Sequence, residues 1–313
     1  GDAGQAYYWW LRAYMDDPLS ERVSEEVERL AELTQEWGFI VDVGEQILEN
    51  QNLAQDARVA VLSRSGTVLE KRIGDAGRAI EVYNRLLAIV PDHAEALQAL
   101  DRLYNQTAQW EQLAEILQRR IATTMDGEVL IDLEMRLAGA FEQWLANPEA
   151  AIAAYNRALE IDGNNPRALE RLEALFLAAY RWEDLYKTYE RMAGIANTDD
   201  DTASCYQRMA KIAAEALGRE TDAVELWAKV LELRGEDGLA LGELAVLHER
   251  AGRFEELAEA LERQVYVVED RNEKVAIYQH LARVYGERLG KERSALDAWL
   301  NARELNGRDV DTL

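Results

Sequence analysis

Apolar residues in this chain recur three and four positions apart almost throughout, with polar residues filling the intervals. That spacing puts one apolar stripe on each helix and predicts helices from one end to the other. No stretch alternates strictly enough for a half-buried strand. Gly, Pro and short Asp/Asn runs divide the pattern into segments of helical length. About seventeen helices are expected, among them 148–161, 166–180, 182–196 and 202–217 in the middle of the chain.

The pattern also repeats. Residues 151–185 align with 79–113 after a shift of 72 positions, and with 223–257 after a shift the other way. Residues 295–305 begin a further copy, and a looser copy begins at Ala6, one residue out of step. Large rings keep their place in each copy. One ladder is Trp10, Tyr83, Tyr155, Trp227 and Trp299; a second is Trp37, Trp110, Trp182 and Phe254; a third is Tyr104, Phe176 and His248. A ring at one register in every copy is expected to be buried between neighbouring helices. Gly163, Gly235 and Gly307 share one turn register; Gly74, Gly218 and Gly290 share another, with Ala146 in the gap. Glycine just past a helix end supplies the positive φ that a helical C-terminus uses.

Repeats of this kind predict a solenoid, in which each unit buries its apolar face on its neighbours. The expected units are 6–78, 79–150, 151–222 and 223–294, with a partial unit at 295–313, all in one solenoid spanning 1–313. The first six residues, GDAGQA, repeat the junction GDAGRA at 74–79. On that ground the chain is expected to be a piece of a longer repeat protein, with Trp9 packing on a preceding unit.

Each 72-residue unit holds two helical hairpins. In 275–306, Leu281, Ala282 and Tyr285 stand at the Leu, Gly/Ala and Tyr positions of a tetratricopeptide first helix. Ala295, Trp299 and Ala302 stand at the Ala, Phe/Tyr and Ala positions of its second helix. Ala151, Tyr155 and Ala158 match the second helix again. The chain therefore resembles the tetratricopeptide-repeat family over essentially its whole length. The hairpins beginning near His93, Pro166 and Gly238 depart more, because Asp101 and Glu173 occupy a small-residue position. The resemblance implies an all-α, right-handed alpha-alpha superhelix (a TPR-like solenoid). It also implies a non-catalytic scaffold that docks protein or peptide partners, of the kind that organises bacterial motility, polarity or secretion assemblies.

Charge narrows the partners. The chain has 35 basic and 59 acidic residues, a net charge of −24. Such a surface repels nucleic-acid phosphates and anionic membranes. No run is long and apolar enough to span a membrane. The expected partners are proteins or peptides, with no nucleic acid, no membrane insertion and no small-molecule substrate. One cysteine, Cys205, rules out an internal disulfide and suits a reducing, cytoplasmic setting.

Catalytic signals are weak. His93, His248 and His280 sit in no metal-binding spacing, and His248 stands on an aromatic ladder. GERLGK at 286–291 has three residues where a phosphate loop has four, and no Ser or Thr follows Lys291. Neither a catalytic residue nor a metal ligand nor a cofactor is assigned.

Two basic ladders remain. Arg12, Arg85, Arg157 and Lys229 lie two positions past the first ring ladder and are expected to pair with nearby acids. Arg64, Arg136, Arg208 and His280 recur every 72 positions on helices of the groove-lining type, with Lys211 and Arg283 three positions further on. These six are the candidate partner-binding residues. Read as a concave basic groove, they suit an acidic or carboxylate-bearing peptide, as in a co-chaperone-type module. Read otherwise, the row is a set of internal salt bridges. A regulatory subunit of an enzyme is the third functional alternative. Trp144 and Tyr266 do not recur as rings and are candidates for partner contact or local packing.

Overall fold

The computed structural model describes residues 3–306 and is all-helical over them. Gly307 and the rest of 307–313 lie outside the described residues. The helices group into two compact units that divide after Gly163. The first holds α1 (Ala3–Asp16), α2 (Glu21–Thr34), α3 (Gly38–Leu48), α4 (Gln55–Val68), α5 (Ala76–Ile89), α6 (Ala94–Gln106), α7 (Trp110–Thr123), α8 (Gly127–Gln143) and α9 (Pro148–Ile161). The second holds α10 (Pro166–Ala178), α11 (Trp182–Ile195), α12 (Asp199–Glu215), α13 (Glu220–Arg234), α14 (Gly238–Arg250), α15 (Phe254–Val267), α16 (Arg271–Arg283) and α17 (Glu292–Asn306). Two helices run on into a π turn, α4 through Leu69–Ile73 and α16 through Val284–Arg288.

Polar side chains start many of these helices. Asp75, Asp126, Asn147, Asn165, Thr198, Asp237 and Asp270 each accept a backbone N–H from the first turn of the helix that follows. These bonds satisfy donors that the helix itself leaves unpaired. Pro148 and Pro166 open α9 and α10, where no N–H is needed.

Small residues let the helices approach, and rings fill the space beside them. Ala79, Ala151 and Ala223 are fully buried, and one turn on Tyr83, Tyr155 and Trp227 are buried too. The ends of that ladder differ. Trp299 is exposed, and Tyr7 rather than Trp10 takes the deep position in α1, donating its hydroxyl to the Glu36 carbonyl at 3.0 Å. The buried face of α1 carries Tyr7, Leu11 and Tyr14, one helical turn apart, and Trp10 lies at its edge, half-buried.

The second ladder corrects an expectation. Trp37 is buried, but Trp110, Trp182 and Phe254 are half-buried. Each of these three is the first residue of its helix, whereas Trp37 stands one residue before α3. Tyr104 and Phe176 of the third ladder are buried, and His248 is half-buried.

The helix-end glycines behave as expected at Gly74, Gly218 and Gly290, all with positive φ; Ala146 adopts φ 48° in the same register. Another left-handed register has little glycine in it. Gln35, Ala108, Tyr180 and Gly252 occupy it with φ between 54° and 67°. All four end an even-numbered helix and turn the chain into the next one. The first copy's extra residue lies between Trp37 and Arg64, where α3 is short and the loop 49–54 long.

Candidate functional site

The candidate basic residues fall on even-numbered helices, and each of the recurring four meets an acid on the preceding even-numbered helix. In the first unit Arg64 of α4 binds Glu28 of α2 at 3.0 Å. Arg136 of α8 binds Asp101 of α6 through two bonds, one of them 2.9 Å, and Arg120 of α7 binds the same carboxylate. Between these pairs, Arg102 of α6 binds Glu70 in the π turn after α4 at 2.9 Å. In the second unit Arg208 of α12 binds Glu173 of α10 at 2.7 Å, and His280 of α16 meets Glu249 of α14 at 3.2 Å.

The acids are as periodic as the bases. Glu28, Asp101 and Glu173 share one register, and the fourth copy has Ala245 there. That copy has also exchanged Arg for His280, which uses Glu249 one turn further along. The acids at the small-residue position thus serve as partners for the basic row.

Burial sets the strength of each pair. Asp101 is only 2 % exposed and holds two guanidinium groups, while Arg208 and Glu173 lie nearer the surface. The bond to Asp101 raises the Arg136 pKa above its ordinary value. Glu173 also accepts from the Tyr189 hydroxyl at 2.8 Å, and burial followed by that carboxylate pushes the Tyr189 pKa up to about 12. Lys211 and Arg283 take part in no ion pair among the described residues. Arg283 donates to the Gln279 carbonyl at 3.4 Å.

Three members of the other basic ladder meet partners, while Arg12 pairs with no acid among the described residues. Arg85 binds Glu45 at 2.7 Å, and Arg157 clasps the buried Glu134 at 2.7 and 2.8 Å. In the next copy the pair is exchanged for a cation over a ring: Lys229 stands 5.4 Å from the Tyr206 centroid.

A related contact escaped the sequence reading. The second ring ladder is covered from the end of the following even-numbered helix. Arg72 lies 4.6 Å over Trp37, Trp144 stacks on Trp110 at 4.5 Å and 8°, and Arg288 lies 5.3 Å over Phe254. The covering positions 72, 144, 216 and 288 follow the same 72-residue spacing. The signal was present but hidden, because the covering residue changes type from Arg to Trp to Ala to Arg. Trp144 is therefore a packing residue as well as an exposed one, while Tyr266 is exposed.

A surface of this kind can hold a polypeptide through charge and stacking. No group of metal-binding side chains occurs among the described residues, and no described helix is long and apolar enough to cross a membrane.

Two family models described as tetratricopeptide repeat match the sequence, one over residues 96–129 and 240–275, the other over 145–165. The first covers hairpins α6–α7 and α14–α15, which are among those that depart more from the tetratricopeptide pattern in sequence. No curated protein matches the chain. Among solved structures the chain is similar to the MamA protein, with 17 % identity and a TM-score of 0.39, over 58 % of this chain and 94 % of that one. It is also similar to PilF of Pseudomonas aeruginosa, with 18 % identity and a TM-score of 0.35, over 68 % and 93 %. A third is YrrB, described as a TPR protein with an unusual peptide-binding site, with 15 % identity and a TM-score of 0.34, over 64 % and 97 %.

Proposed function

Because the chain is a helical-repeat protein of the tetratricopeptide-like type, we propose that it is a non-catalytic scaffold that docks partner proteins. The observation that carries this reading is the way the even-numbered helices are held side by side. In the first unit the pairs Arg64–Glu28, Arg102–Glu70 and Arg136–Asp101 connect α2, α4, α6 and α8 in turn. Binding to a surface already held in place avoids much of the ordering cost that a flexible surface incurs. We further assign the scaffold to a multiprotein assembly of the bacterial motility, polarity or secretion kind, in the cytoplasm. The single Cys205 suits that setting, and burial raises its thiol pKa above the ordinary value.

A second reading is favoured by Lys211 and Arg283. Each lies one helical turn past a paired member of the basic row and has no acid of its own among the described residues. An acidic or carboxylate-bearing peptide laid along α12 or α16 would meet these cations first. Exposed charge contacts contribute about 0–1 kcal/mol each, so such binding needs several and weakens with salt.

The test is affinity capture with quantitative mass spectrometry, run in parallel on the wild type and on a Lys211→Glu, Arg283→Glu variant. Scaffolding predicts reproducible partners that resist washing. The peptide reading predicts that at least one of them is lost from the variant. A chain that retains no partner above background contradicts both.

A further inference from the structure

One of the four copies of the second ring ladder lacks a covering group. Trp37, Trp110 and Phe254 each have a flat or cationic group over the ring, supplied from positions 72, 144 and 288. At the corresponding position of the third copy stands Ala216, whose side chain is one methyl group. Ala216 is exposed. Among the described residues no cation lies over Trp182 and no ring stacks on it; its ring contact is a T-shaped approach to Tyr180, at 5.7 Å and 70°. Tyr180 is 73 % exposed and stands at the left-handed turn between α10 and α11.

The neighbouring cations are engaged elsewhere. Arg181 lies 4.9 Å over Phe176 and binds Asp184 at 2.8 Å, and Arg219 binds Glu183 at 3.0 Å. The third copy thus keeps the ring and lacks the group that covers it. Two of the three internal covers are guanidinium groups, so this register accepts arginine over an aromatic face. A guanidinium is held there by the ring quadrupole and by stacking of its plane. The protein's net charge of −24 attracts a basic segment toward such a site.

We propose that Trp182, flanked by Tyr180, docks an arginine side chain carried on a basic segment of a partner protein. The partner's arginine takes the place that Arg72 and Arg288 fill from within the chain. The biological use of the site rests on the docking reading above, but the site itself is testable without the partner.

The experiment uses the full chain labelled with 5-fluorotryptophan, whose eight tryptophans are followed by fluorine NMR. The Trp182 resonance is assigned by Trp182→Phe. The probe is a decapeptide of alternating arginine and glycine, titrated at about 0.3 M salt to suppress general attraction. The control is the same peptide with citrulline for arginine, which keeps the shape and removes the charge. The expected result is a saturable shift of the Trp182 resonance, with the other seven little affected and the citrulline peptide inert. Ala216→Arg should move that resonance without peptide and weaken the peptide response at least tenfold, whereas Ala216→Ser should bind as the wild type does. Three outcomes overturn the proposal: no Trp182 shift beyond that of the other tryptophans, an equal response to citrulline, or undiminished binding by Ala216→Arg. A natural partner that still binds Ala216→Arg removes this site and leaves the docking reading standing.

Discussion

Arg136 on α8 reaches back 35 positions to bind the buried carboxylate of Asp101 on α6. Removing one member of a buried, hydrogen-bonded pair leaves the other charge uncompensated, at a cost of about 3–5 kcal/mol. Asp101→Ala leaves Arg120 and the more exposed Arg136 without that carboxylate, and because both reach solvent the expected loss by urea denaturation is at the low end of that range, about 3 kcal/mol. Glu173→Ala, at the same register but nearer the surface, should lose only about 1 kcal/mol. Equal losses at the two positions would mean that burial does not govern this row.

Backbone strain gives a second prediction. Ala146 adopts φ 48° where Gly74, Gly218 and Gly290 serve the other copies. A left-handed conformation costs a residue with a Cβ about 1–2 kcal/mol, while glycine adds unfolded-state entropy of about 0.5–1 kcal/mol. Ala146→Gly should therefore raise stability slightly, by about 0.5 kcal/mol. Gly66→Ala should do the opposite, because a Cβ there would lie 2.7 Å from the Tyr83 ring. Overpacking of that sort costs about 1–3 kcal/mol. Thermal or urea melts of the two variants decide both points, and a stabilised Gly66→Ala would contradict the packing described.

His248 adds a dependence on pH. Its Nδ1 is buried without a hydrogen-bond partner, and burial lowers the ring's pKa below the ordinary 6.5. Between the folded and unfolded pKa values the unfolded chain binds more protons, so stability falls as pH drops below about 6.5. His248→Phe restores the ring type of Phe176 and removes the titrating group. The wild type minus variant difference in melting temperature should grow more negative from pH 7 to pH 5. A difference that stays flat would show that His248 titrates alike in both states.

Ring burial sets the fourth prediction. Trp227 is 1 % exposed, and truncating a buried ring to alanine costs about 3–5 kcal/mol. Trp182→Ala removes a half-buried ring at a helix start and should cost clearly less. Chemical denaturation of both variants gives the comparison, and a larger loss at Trp182 would reverse the order of burial.

The helical fold was legible because its signals are periodic and local. The 72-residue recurrence of Ala79, Ala151 and Ala223 and of the rings beside them shows where helices meet. Depth was less legible. The ladder Trp37, Trp110, Trp182 and Phe254 is one column in sequence, yet only Trp37 is buried, so a shared register does not carry a shared depth. The left-handed turn shared by Gln35, Ala108, Tyr180 and Gly252 was hidden for a related reason: backbone packing imposes that φ on whichever residue stands there. In the candidate site, the basic row was visible as a column, as was its possible use as internal salt bridges. Its acids were not, since Glu28, Asp101 and Glu173 become partners only when α2 meets α4, α6 meets α8 and α10 meets α12.

Docking is proposed on the surfaces that the even-numbered helices form within each unit. The direct measurement is hydrogen–deuterium exchange of the chain with and without a captured partner. Docking there predicts slowed exchange concentrated in α4, α8, α12 or α16 and the turns beside them, reduced by Lys211→Glu and Arg283→Glu when the partner is acidic. Slowed exchange confined to the odd-numbered helices, with these even-numbered ones unchanged, would contradict it.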